Sequence, residues 1–257
     1  MRYALAWLIT GLLTIFITAL ISMPAAWLVP LIDQQTAGRF SLAEVEGNLW
    51  QGSAVIGIAA ARDEPLTALL PGRCSWHISP SLLFGGVDIT LENSSVSAAP
   101  IRLRGSGTRW EIAAGSMTLH ADSLAALGAP LNTLQPAGVM KISWPALTLT
   151  REGSDWLING PMQITLTSLS SRLSPLKPLG AYQLQFDWIG RGATLNLQSL
   201  SGPLMLTGRG GITNGHFHFS GEAWAQAGYE TQLATLLGLL GQRRQLDDRI
   251  VTTLEFQ

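Results

Sequence analysis

The feature that most constrains this chain is a long stretch without charge near its start. Residues 3–32 contain no Lys, Arg, Asp or Glu. The run is apolar with scattered threonines, and Leu5, Trp7, Leu12, Ile15, Phe16 and Leu20 supply much of its bulk. A helix rises about 1.5 Å per residue, so about 20 such residues cross the hydrocarbon of a bilayer. The run is long enough even if it ends near Pro24. Trp7 and Trp27 flank it, as interfacial aromatics often do. Arg2 precedes it and Asp33 is the first charge after it, a small bias towards a cytoplasmic N-terminus and an exported remainder. A cleaved signal peptide is the competing reading, because Ala25-Ala26 after Pro24 faintly resembles a cleavage site. The apolar core here exceeds the roughly 7–15 residues of a signal segment. A buried helix of a water-soluble domain would rarely lack a polar face for so long. The sequence therefore predicts a cytoplasmic tip and transmembrane anchor over residues 1–33 and an exported domain over 34–257.

Roughly 220 residues remain beyond the anchor, enough to bury a sizeable core. The formal net charge of −1 offers no electrostatic case for nucleic-acid binding. Cys74 is the only cysteine, so no intrachain disulfide can form. A core of this size needs none in an oxidising compartment.

After Asp33 the apolar period changes from helical to alternating. In 181–189, Tyr182, Leu184, Phe186 and Trp188 point one way while Gln183, Gln185 and Asp187 point the other. That is the pattern of a sheet with one buried and one wet face. Gly190-Arg191-Gly192 reads as a turn into a second alternating run, Ala193, Leu195 and Leu197, making an antiparallel hairpin. Similar alternation marks 87–91, 162–167 and 250–256, and further strands are expected around 49–61, 75–79, 110–120, 139–144, 147–151, 204–208 and 215–224. Two helices are expected. One is short, 123–127, with Asp122 as cap and Gly128 as stop. The other is 230–240, where Leu233, Leu236, Leu237 and Leu240 form one apolar stripe and Gly241 suits a C-terminal cap. Ordinary packing on the sheet explains that stripe, with a partner-docking face as the minority reading. The segment 169–180, rich in Ser and Pro, is the best place for a break between two sub-sheets. The fold class expected is mainly β: a transmembrane helix, then an antiparallel, curled or sandwiched multi-stranded domain with one or two short helices.

Several local patterns occur in a definite order. Val45-Glu46-Gly47-Asn48-Leu49-Trp50-Gln51-Gly52-Ser53-Ala54 follows the apolar run. Ser75-Trp76-His77-Ile78-Ser79-Pro80 precedes Leu82-Leu83-Phe84-Gly85-Gly86. Leu236-Leu237-Gly238-Leu239-Leu240-Gly241 precedes Asp247-Asp248 and a last strand. Together with the N-terminal anchor, this arrangement resembles the type II secretion system protein N family over nearly the whole chain. The resemblance implies a non-catalytic inner-membrane accessory subunit of the machine that exports folded periplasmic proteins across the outer membrane. Its implied partners are other inner-membrane and periplasmic subunits of that system, with membrane lipid around the anchor and no cofactor. It also implies a distant likeness to AsmA-like envelope proteins, whose sheets curl into an apolar trough. The alternative function is thus binding or conveying envelope lipid, with a lipid bound in the sheet. By the residues alone, Gly47 and Gly52 serve tight turns or bulges and Trp50 covers the sheet's apolar face.

Catalytic and metal readings are weaker. His216 and His218 share a face of one expected strand and could ligate one metal, but no third ligand is evident nearby. No Gly-x-Ser-x-Gly elbow occurs, and Gly105-Ser106-Gly107 reads as a turn. Gly208-Arg209-Gly210-Gly211 lacks the features of a nucleotide loop and is expected to be a hairpin turn. Arg102, Arg104 and Arg109 are read as a solvated strand face, with contact to anionic lipid headgroups less supported. Arg243-Arg244 is expected to complement the dipole at a helix end.

Overall fold

A computed structural model describes residues 2–36, 38, 40–58, 67–68, 70–127, 131–153, 155–213, 215–246 and 249–256. The chain begins with α1 (Arg2–Ile21), a 3₁₀ turn (Ala25–Trp27) and α2 (Leu28–Gln35). Then follow β1 (Phe40–Gly47), β2 (Gln51–Ile58), β3 (Thr67–Ala68), β4 (Cys74–Ile78), a 3₁₀ helix (Pro80–Phe84), β5 (Gly86–Glu92), β6 (Ile101–Ser106), β7 (Arg109–Ile112) and β8 (Gly115–His120). A second 3₁₀ helix (Ala121–Leu127) and a single turn, α3 (Leu131–Leu134), lead to β9 (Pro136–Trp144), β10 (Leu147–Glu152), β11 (Asp155–Ser171), β12 (Gly180–Gly190), β13 (Gly192–Ser201), β14 (Leu204–Thr213) and β15 (His216–Ala225). α4 (Glu230–Leu240), β16 (Gln242–Leu246) and β17 (Arg249–Phe256) complete the order.

All these strands form one antiparallel sheet. β2 pairs with β1 on one side and with β3 and β4 on the other. From β4 the sheet passes through β5, β6, β7, β10, β11, β12, β13, β14, β15 and β17 to β16. β11 is long enough to take two neighbours on one side: β10 along its first part and β9 along its second, with β8 beyond β9. The stretch 172–179 connects β11 to β12, which pair directly with each other. The expected mainly β, antiparallel architecture with few short helices is what the chain adopts.

Alternation explains the core. Tyr182 of β12, Leu195 and Leu197 of β13, Leu204 of β14, and Phe219 and Ala223 of β15 are buried in one cluster. α4 closes it from above with Leu233, Leu236 and Leu237, so the helical stripe packs on the sheet. Tyr182 donates its hydroxyl hydrogen to the Leu204 carbonyl at 2.8 Å, and burial pushes its phenol well above the ordinary tyrosine range. A smaller cluster of Val96, Leu119 and Met140 lies beside β8 and β9.

Several expectations need correction. The stretch 110–120 is two strands, β7 and β8; the strand expected around 49–61 is β2, with 59–61 outside the described residues, and β1 before it was not expected. Gly208-Arg209-Gly210-Gly211 is no turn. It lies inside β14, where a Cβ at Gly208 or Gly210 would strike the ring or backbone of Phe219. The glycines are there to seat a large aromatic on the neighbouring strand. Gly241 is not a left-handed helix cap: its φ is 171°, ordinary extended backbone, and a Cβ there would strike the Thr253 carbonyl. Arg244 sits on β16, an edge strand, not in the last helical turn. The short helix expected at 123–127 is part of the 3₁₀ segment Ala121–Leu127, and its expected stop, Gly128, lies outside the described residues, as do Asp247 and Asp248.

Candidate functional site

The quoted motifs converge where α1 meets the first hairpin. The chain reverses between β1 and β2, and Gly47 makes that reversal with φ +89°, a left-handed conformation that a side chain resists. Asn48 shapes the turn, its Oδ1 accepting from the backbone N–H groups of Trp50 at 3.0 Å and Gln51 at 2.8 Å. Gly52 is bare because the ring of Trp76 lies against it from β4. Trp76 in turn donates Nε1–H to the Leu49 carbonyl at 3.1 Å.

Trp50 has a use that the sequence pattern does not disclose. Its Nε1–H donates to the Leu20 carbonyl at 2.9 Å, in the last turn of α1. The last carbonyls of a helix have no partner within it, so an indole N–H placed there both satisfies one and fixes the helix end. The Leu49 N–H donates to the Met23 carbonyl at 2.8 Å, and Pro24 bridges Asn48. The hairpin therefore grips the chain just as it leaves α1. Arg73 braces the other face, 3.1 Å from Glu44 Oε2 and 3.4 Å from Glu46 Oε2.

Among the described residues no helix is long and apolar enough to cross a membrane. In α1 the side chains described are those of residues 7, 11–15 and 18–21; Leu5 and Phe16 lie outside them. The ones described show no packed face: Trp7, Leu12, Leu13, Ile15 and Ile21 are all exposed, and Leu20 is half-buried. Trp27, in the following 3₁₀ turn, is also exposed. Gly238 lies on the exposed side of α4, beside exposed Leu239.

No reactive constellation is assembled among the described residues. His216 and His218 are exposed on β15, and no group of three or more His, Cys, Asp or Glu is placed to hold a metal. Ser106 lies at the β6–β7 hairpin, where Gly107 makes the turn with φ +54°. Arg104 is 3.5 Å from Asp88 across β5 and β6, and both are solvent-exposed. Cys74 is buried and its thiol is pushed up by that burial, away from reactivity. A depression of about 470 Å³ beside the hairpin is lined by Glu46, Gln51, Trp76 and His77, and His77 Nδ1 is 3.1 Å from Gln51 Nε2.

A single extended antiparallel sheet, capped by one helix and gripping another at its first hairpin, defines a β scaffold. Residues 38–252 match the family described as type II secretion system (T2SS), protein N. The chain belongs to that family, and its role is accessory to type II secretion, a form of protein transport. It has no significant match among curated proteins or solved structures.

Proposed function

We propose that this chain is a non-catalytic subunit held in the inner membrane by α1, with its sheet in the periplasm. There it takes part in the export of folded periplasmic proteins across the outer membrane. The observation that carries the reading is the exposure of the large apolar side chains described on α1, together with the hold of the first hairpin on its C-terminal end. A helix that exposes large apolar side chains in several directions needs lipid or another protein around it. The uncharged run of residues 3–32 has the length for a bilayer. Tethering in this way raises the effective concentration of the sheet near other inner-membrane and periplasmic subunits. Among the described residues β1 pairs only with β2 and β16 only with β17, so each offers an edge for strand addition by a partner. A secretion assay in a deletion strain tests the role. Loss of export, restored by the full chain, supports it.

One observation favours the lipid-binding alternative. Beyond α4 the apolar face continues through Leu184, Phe186 and Trp188, which are only half-buried, and the last two rings stack 6.4 Å apart. Unchanged export with disturbed envelope lipid in the deletion strain would favour that alternative over the secretion role.

A further inference from the structure

The segment Leu82-Leu83-Phe84 exposes three large apolar side chains in a row, and Phe84 is 91 % exposed. Nothing in its own fold demands this. The 3₁₀ helix that carries it is well defined. Ser79 Oγ accepts from the Ser81 N–H, Pro80 opens the turn, and Gly85 closes it with φ +81°. Its base is bonded on both sides: Ser79 N–H donates to the Asp88 carbonyl at 2.9 Å, and Gly107 N–H to the Gly85 carbonyl at 3.2 Å. The apolar tip is therefore held out on a braced support.

Its position relative to α1 follows from the register. β2 leaves the first hairpin at Gln51, and β4 runs antiparallel to β2, so β4 ends where that hairpin turns. The Ile78 N–H at the end of β4 donates to the Trp50 carbonyl at 2.7 Å, and the Trp50 indole donates to Leu20 of α1. Two hydrogen bonds thus separate the end of α1 from Ile78, and the 3₁₀ helix starts two residues later. It therefore lies at the same end of the sheet as the junction with α1. The β6–β7, β12–β13 and β14–β15 hairpins turn at the same end of the sheet, and they bring exposed Ile189 and Phe217 to that rim.

We propose that Leu82, Leu83 and Phe84 insert into the interfacial layer of the bilayer beside the point where α1 emerges, giving the sheet a second membrane contact. This rests on the anchoring role of α1 stated above. Burying apolar area is favourable by about 25 cal/mol per Å², which a tip exposed to water forgoes. Behind the tip, Arg104 and Asp88 are paired with each other across β5 and β6. With two attachments the sheet cannot swing freely about the end of α1, and its edges keep a fixed aspect towards membrane partners.

The test uses the full chain with Cys74→Ala, carrying Phe84→Cys or, at the opposite end of the sheet, Gln226→Cys. Each is labelled with an environment-sensitive fluorophore and reconstituted into phosphatidylcholine–phosphatidylethanolamine vesicles, with and without lipid bearing a nitroxide high on the acyl chain. The expected result is flotation of both proteins with the vesicles and loss of emission, on adding nitroxide lipid, for the label at 84 but not at 226. Flotation without quenching at 84 overturns the tip contact and leaves the anchor standing. A label at 84 that is unquenched by lipid but shielded once other secretion subunits are added assigns the tip to a protein partner, and also overturns it. Failure to float overturns both readings.

Discussion

α1 and α4 are both leucine-rich, yet they meet the sheet in opposite ways. In α4, Leu233, Leu236 and Leu237 fall on one stripe and are buried, with Leu233 fully inaccessible. In α1, Leu12, Leu13 and Ile15 point in three directions and are 68 %, 55 % and 69 % exposed. α4 is held by its side chains over a continuous core. α1 is held at its end, by an indole on a carbonyl. Apolar content does not tell a core helix from an attached one; the distribution of that content around the axis does.

The contrast breaks first under truncation. Leu233→Ala should lower the stability of the sheet by about 2–5 kcal/mol, because the cavity opens beneath a packed helix. Leu12→Ala should change it by less than about 0.5 kcal/mol. Urea unfolding of the full chain in detergent, followed by tryptophan emission, compares the two. Similar losses would mean that α1 packs like α4. Gly208→Val comes next. A side chain there displaces the Phe219 ring, and overpacking of that kind costs about 1–3 kcal/mol in the same assay.

How much of this was legible in the sequence depends on which neighbour a residue needs. The β12–β13 hairpin could be read because its alternation is local and long. The α4 stripe was legible for the same reason. Gly208 and Gly210 misled because a glycine pair between strands signals a turn, whereas their reason lies across the sheet in Phe219. Gly241 misled similarly, since its need is the approach of Thr253. At the candidate site, Gly47 behaves as a turn glycine, as its sequence context suggested. The bond from Trp50 to Leu20 spans 30 positions, and no local pattern could have announced it.

That bond gives a sharper test of the junction. Trp50→Phe keeps the ring and removes the donor, so it should cost about 1 kcal/mol. Hydrogen exchange should quicken at the Leu49 amide, which donates to Met23, while amides of β12 and β13 stay unchanged. A uniform quickening would assign Trp50 to the core instead. The covered end also has a pH signature. The Tyr182 phenol is raised by burial, so the unfolded chain loses that proton first. Stability is then fully present below the ordinary phenol value near 10 and falls as pH rises above it. Tyr182→Phe should remove that share of the alkaline loss. Smallest is Thr252→Val: the buried Thr252 Oγ1 has no hydrogen-bond partner among the described residues, so its replacement should be neutral or stabilising, within about 1 kcal/mol.

The most direct test of whether lipid surrounds α1 is a spin-label scan of the reconstituted full chain with Cys74→Ala and Leu12→Cys, Leu13→Cys or Ile15→Cys. The account predicts that all three labels collide readily with dissolved oxygen, which concentrates in hydrocarbon, and are shielded from a water-soluble nickel chelate. One protected position among the three would reveal a protein-covered face, and free access of the chelate to all of them would place α1 in water and contradict the account.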